Sequence, residues 1–124
     1  MDKSNIERFS KDWIAHIRSA PGTDMWLNSE WVVGASIEWA AKRPDILRHA
    51  IIEIAKQDLT ESEFEKLGCG PLENLMVHDY EESSEAIWKH AKISGNLRAA
   101  LCFVSPAPQH RADFELRLRR LGFH

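Results

Sequence analysis

The sequence predicts an all-α domain, and three observations carry that expectation. Apolar residues recur at three- and four-residue steps along most of the chain. Turn and capping residues divide those stripes at short intervals. The connections that remain run about three to six residues, a length that favours antiparallel helical neighbours. The expected architecture is a compact orthogonal or antiparallel bundle of about seven short helices. Helix pairs on either side of a central glycine corner suggest HEAT-like stacking, although no fixed-period repeat is visible.

The first helix is capped by Ser4 or Asn5 and carries Ile6, Phe9, Trp13 and Ile17 on one side. Ala20-Pro21-Gly22-Thr23-Asp24 ends it. Asn28 or Ser29 caps the second helix, where Trp31, Val32, Val33, Ala35, Ile37, Trp39, Ala40 and Ala41 place apolar groups nearly all round. That helix is expected to be the most buried. Gly34 costs it about 1 kcal/mol relative to Ala and invites a neighbouring helix to approach. Pro44 breaks it and starts a third helix with the stripe Leu47, Ala50, Ile51, Ile54 and Ala55. Thr60 followed by Glu63 is a capping-box pattern for a short fourth helix that ends at Leu67.

Leu67-Gly68-Cys69-Gly70-Pro71-Leu72-Glu73-Asn74-Leu75 is the corner of the chain. Gly68 suits a left-handed residue after a helix end. Gly70 leads into Pro71, whose fixed φ and missing N–H suit a first helical turn. Glu73 places a carboxylate at the positive end of the next helix. Leu72, Leu75 and Met76 are the stripe of that helix, which ends near Asp79. Tyr80-Glu81-Glu82-Ser83 reads as a polar connection, with Ser83 or Ser84 capping a sixth helix that buries Ile87, Trp88 and Ala91. Ser94-Gly95-Asn96 turns the chain into a seventh stripe, Leu97, Ala100, Leu101 and Val104. Ser105-Pro106-Ala107-Pro108 stops it. In the tail, Phe114, Leu118 and Leu121 follow helical spacing, and the wealth of Leu, Arg and Glu favours helix over strand.

At 124 residues the chain is expected to form one domain, with its core over about 5–104 and a basic C-terminal helix over about 109–121. An apolar fraction of 44% and a charged fraction of 28% exclude wholesale disorder. The polar start Met1-Asp2-Lys3-Ser4-Asn5 and the lack of a long apolar run point to a cytoplasmic protein with no membrane partner. Cys69 and Cys102 have no spacing that suggests a disulfide framework or zinc site, so reduced thiols are expected. Charge is polarised. Residues 1–52 balance seven acidic against seven basic side chains, residues 53–85 carry ten acidic against two basic, and residues 86–124 carry two acidic against seven basic.

The segment from about Trp31 to Val104 resembles a small bacterial all-helical domain family of unknown function. Gly68-Cys69-Gly70-Pro71-Leu72-Glu73-Asn74-Leu75 carries the resemblance, as a Gly-x-Gly-Pro-Leu-Glu corner between helices. The resemblance implies an all-α fold and no activity.

Four constellations bear on chemistry. Cys69 lies just ahead of a helix start, which can lower a thiol's pKa, with His78 or His90 as a base and Glu73 nearby; a packing cysteine is the commoner role. His78-Asp79 with Glu81, Glu82 and His90, and the pair His49 and Glu53, collect ligand types without a ligand motif. The Gly-x-Gly element lacks the third glycine and the preceding strand of a phosphate loop. Arg111, Arg117, Arg119 and Arg120 form a basic end that Asp113 and Glu115 dilute, which disfavours nucleic acid. No catalytic residue, metal or cofactor is expected.

The better lead is the acidic middle. Glu61, Glu65, Glu81, Glu82 and Glu85 are the expected contacts for a protein with a basic surface. The class this suggests is a bacterial immunity protein or other small inhibitor. A small enzyme or ligand-binding domain at the glycine corner is the alternative, with nucleic-acid binding by the arginine tail third. A homodimer is compatible with all of these.

Overall fold

In the computed structural model the described residues are 2–122, the Asp2 side chain excepted. They form nine α-helices. These are α1 (Asp2–Arg18), α2 (Asp24–Ser29), α3 (Trp31–Lys42), α4 (Pro44–Ala55), α5 (Glu61–Leu67), α6 (Glu73–His78), α7 (Tyr80–Ala91), α8 (Gly95–Leu101) and α9 (Arg111–Arg120). A π-helical turn, Gly68–Leu72, joins α5 to α6, and a 3-10 turn, Pro108–His110, leads into α9.

The fold is the expected all-α, compact helical bundle, with one helix that the sequence does not announce. The unforeseen element is α2. Thr23 Oγ1 accepts a hydrogen bond from the Trp26 N–H at 3.3 Å and so caps a short helix where a turn was expected. Ser29 is therefore not a cap for α3; it is buried at the end of α2, where its hydroxyl donates to the Met25 carbonyl at 2.7 Å. Two other starts differ. The first helix begins by Asp2, so Ser4 and Asn5 are helical. Likewise α7 begins at Tyr80, so Ser83 and Ser84 are buried inside it rather than capping it.

The core is built on α4. It buries Ile46, Leu47, Ala50, Ile51, Ile54 and Ala55 and packs against α1, α3, α6, α7 and α8. The Asn96 side chain donates to the carbonyls of Ala55 and Gln57, each at 2.8 Å, and so satisfies acceptors at the end of α4. This makes α4 the most buried helix, not α3. Only Val32, Ser36 and Ala40 of α3 are buried, and Val33 and Ile37 are more than half exposed. An apolar surface all round a helix records what it is able to bury, and here one side has no neighbour. On the inner side Phe9 packs against Trp31 and Trp39 at ring distances of 5.9 and 5.0 Å. The Trp31 Nε1–H donates to Asp12 at 2.7 Å, and the Arg8 guanidinium lies 4.6 Å from the Trp31 ring centre.

The corner is a kink, but neither of its glycines is left-handed. Gly68 is right-handed helical, with φ −66° and ψ −48°, so the left-handed conformation expected there is wrong. Its requirement is space: a Cβ at Gly68 would overlap the Ala100 carbonyl oxygen and come within 2.8 Å of Phe103 Cβ. The bend falls at Gly70, with φ −104° and ψ −107°, and Pro71 resumes helical geometry directly after it. Glu73 Oε1 accepts the Ser105 backbone N–H at 2.7 Å, which ties the corner to the chain leaving α8.

Candidate interaction surfaces

The capping box that starts α5 decides which of its carboxylates point out. Thr60 Oγ1 accepts the Glu63 N–H at 3.3 Å, and Glu63 Oε1 accepts the Thr60 N–H at 2.9 Å. Glu63 and Leu67 are thereby turned inward, and Glu61 and Glu65 are left exposed one turn apart. On α7 the same division applies: Ser83, Ser84, Ile87 and Trp88 are buried, and Glu81, Glu82 and Glu85 are exposed. Other carboxylates are committed to cations. Asp79 lies 3.7 Å from Arg48, Glu53 2.9 Å from Lys56 and Asp113 3.0 Å from Arg117. Among the described residues, Glu61, Glu65, Glu81, Glu82 and Glu85 make no ion pair within 4.0 Å. They stand on two helices, α5 and α7, with the π turn and α6 between them in the chain.

A second surface is apolar. Val33, Gly34, Ile37 and Ala41 are exposed on the outer side of α3. Val33 and Ile37 border a shallow groove of about 160 Å³ that Pro71 and Asn74 close from the side, where the Asn74 amide donates to Ser36 at 2.9 Å. A Cβ at Gly34 would meet nothing within 4 Å, so no described helix uses the approach that this glycine permits.

A cavity of about 600 Å³ lies between α1 and α4 and reaches His90 of α7. It gathers His49, Glu53 and His90, with Lys3, Asp45 and Lys56 around them. His49 and Glu53 lie together on α4 as their spacing predicts, whereas His90, expected with His78, lies on the groove beside them. Cys69, Glu73 and His78 do not line it. Among the described residues, no group of three or more His, Cys, Asp or Glu side chains could hold a metal ion.

Cys69 is exposed, and its thiol donates to the Phe103 carbonyl at 3.3 Å. Partial burial of the sulfur, with the negative charges of Glu73 and Glu65, pushes its pKa up. This opposes the thiolate that the helix start could have stabilised, the less favoured of the two roles read for Cys69 in the sequence. The carboxylate that complements the helix dipole opposes a second negative charge beside it. Cys102 is likewise raised, by burial, and both cysteines are free.

The basic end docks through aromatic contacts with α7. Phe114 of α9 is buried with its ring 5.4 Å from that of Trp88. The Tyr80 hydroxyl donates to Asp113 at 2.7 Å, and the Tyr80 ring stacks on His110 at 4.2 Å. Arg117 donates to the same Asp113 oxygen at 3.0 Å. The sole tyrosine is the sequence signal for this docking, although its segment reads in the sequence as a polar connection. Among the described residues no ion pair joins α9 to the acidic segment.

No family model, curated protein or solved structure matches the chain. No helix among the described residues is long and apolar enough to cross a membrane.

Proposed function

We propose that this is a non-catalytic protein-binding domain of the bacterial cytoplasm that captures a partner with a basic surface, in the manner of an immunity protein or small inhibitor. The observation that carries the reading is the set of five exposed carboxylates on α5 and α7 that form no internal ion pair, in a chain that commits many of its other carboxylates to cations. Unpaired surface charge of one sign contributes little to folding. It does speed encounter with an oppositely charged protein and fixes its orientation. On this reading the helix pairs beside the π turn serve as a HEAT-like scaffold that holds α5 and α7 in place.

The experiment is capture from lysate of the native cell, with partners identified by mass spectrometry, using the wild-type chain and a variant with Glu61, Glu65, Glu81, Glu82 and Glu85 changed to Lys. A basic protein retained by the wild type, lost by the variant and released by moderate salt is the expected result. Equal retention by a variant with an unchanged circular dichroism spectrum sinks the reading.

A further inference from the structure

We propose that the basic end of the chain holds a small organic anion, a monocarboxylate carrying an apolar group, in a cavity between the C-terminal ends of α7 and α9. The cavity has a volume of about 140 Å³ and is lined by Trp88, Lys92, Arg117, Arg120 and Leu121. Every charged side chain on it is a cation. Trp88 and Leu121 give it an apolar wall, to which the aliphatic stems of the cations add. The Trp88 ring is held in place by Phe114 of α9, with ring centres 5.4 Å apart. Its Nε1–H is buried and has no hydrogen-bond partner among the described residues. A buried donor left unpaired is costly, and this one belongs to a ring that forms the wall.

The charge balance sets the class of ligand. Arg117 is partly committed, since it lies 3.0 Å from Asp113 on its own helix. Among the described residues, Lys92 and Arg120 make no ion pair within 4.0 Å. The plainer role for these cations is to complement the two helix C-termini, each equivalent to about half a negative charge. Those two ends and Asp113 together offset about two of the three positive charges. The remainder suits a monoanion. A carboxylate supplies one charge and two oxygens that a guanidinium can hold side by side. A phosphoryl group carries about −1.5 to −2 at neutral pH and would have to shed its hydration against the apolar wall. A carboxylate with a short apolar group sets that group on Trp88 and Leu121 and its charge beside Arg120 and Lys92. It also brings an acceptor to the ring whose N–H has none.

The inference goes beyond the acidic-surface reading and does not depend on it, because none of the five carboxylates lines the cavity. Arg111 and Arg119 are exposed but do not line it either. The basic end therefore converges on a point rather than along a track, which suits a small anion better than a nucleic-acid backbone.

Titration of hexanoate into the whole chain, followed through the assigned indole N–H resonances by heteronuclear NMR, tests it. Hexanamide and inorganic phosphate are the comparison probes. Hexanoate should move the Trp88 indole resonance saturably with a Kd of about 1 mM, the range open to a ligand of so few atoms. Hexanamide keeps the apolar chain without the charge, and phosphate keeps charge without the chain. Each should bind about tenfold more weakly or worse. Arg120→Gln and Lys92→Gln, both at exposed positions, should each weaken hexanoate about threefold. Arg119→Gln, off the cavity, should leave it unchanged. The proposal is overturned if the Trp88 resonance shows no saturable shift up to about 50 mM hexanoate, or if hexanamide binds equally well. It is also overturned by tighter binding of phosphate, or by an affinity that Arg120→Gln and Lys92→Gln leave unchanged. The amide spectrum of each variant checks that it is folded.

Discussion

Arg18 and Glu63, on α1 and α5, form a two-pronged ion pair: Arg18 Nε lies 2.7 Å from Glu63 Oε2, and Nη2 lies 3.1 Å from Oε1. The guanidinium also donates to the Asp58 carbonyl at 2.9 Å, and the carboxylate accepts the Thr60 N–H at 2.9 Å. One carboxylate thus starts α5 and fastens it to the end of α1. Its side chain is 8% exposed, against 49% for Arg18, so the loss of either partner falls mainly on Glu63.

Acid should act through this pair. The hydrogen bonds from Arg18 lead the causes that hold Glu63 at about 2, below its ordinary 4.5. Because the folded-state value is depressed, the stabilisation is complete above the unfolded value and is lost as pH falls towards about 2. Glu63→Gln should cost about 1–2 kcal/mol at neutral pH and flatten the pH dependence of stability in that window. Urea denaturation of both proteins from neutral to acid pH measures it. A variant with the same acid dependence as wild type would show that other carboxylates govern the transition.

Much of this fold was legible because a helical stripe reports burial residue by residue. Leu47, Ala50, Ile51 and Ile54 could be assigned to a core without knowing what covers them, and all are buried. The capping box at Thr60 and Glu63 was equally local. What escaped depends on contacts distant in sequence. The start of α7 reads as polar, yet Tyr80 is held in a helix by His110 and Asp113. Gly68 looked like a left-handed cap, whereas its constraint comes from the backbone of α8. The five exposed carboxylates were legible as residues. That Glu63 between them turns inward to Arg18 was not, since nothing in the sequence places α1 beside α5.

Gly68→Ala should be among the most damaging small substitutions. The added Cβ would collide with backbone at Ala100 and with Phe103 Cβ, neither of which is the far end of a flexible side chain. Overpacking of this kind costs about 1–3 kcal/mol. The helical φ of Gly68 would itself accept alanine. A local left-handed requirement and this tertiary one can be separated by making the change in a Phe103→Gly background, which removes the clashing Cβ. A smaller loss of the urea midpoint is expected there than in the wild-type background, and an equal loss would place the clash at the Ala100 carbonyl alone.

Gly34→Ala should do the opposite. The position is an exposed helix interior with open space where the Cβ would go. The chain gains helix propensity and loses unfolded-state entropy, worth about 0.5–1 kcal/mol. Thermal or urea denaturation measures the gain. A loss of stability there would mean that the outer side of α3 is already covered within the monomer.

Cys69 should be a slow thiol in spite of its exposure. Its raised pKa leaves less thiolate at neutral pH than an ordinary cysteine has, and the thiolate is the nucleophile. Alkylation of a Cys102→Ser protein by iodoacetamide should therefore run below the rate of an unstructured peptide thiol at neutral pH. The rate should rise with pH past the point where the peptide levels off. Partial burial is the largest cause and Glu73 the next. Glu73→Gln should then move the profile to lower pH without bringing it to the peptide's. That variant keeps an amide oxygen able to accept the Ser105 N–H, so the change reports charge rather than loss of the corner. An alkylation rate at neutral pH above that of the peptide would reverse the sign of this electrostatic account. It would also return Cys69 to consideration as a nucleophile.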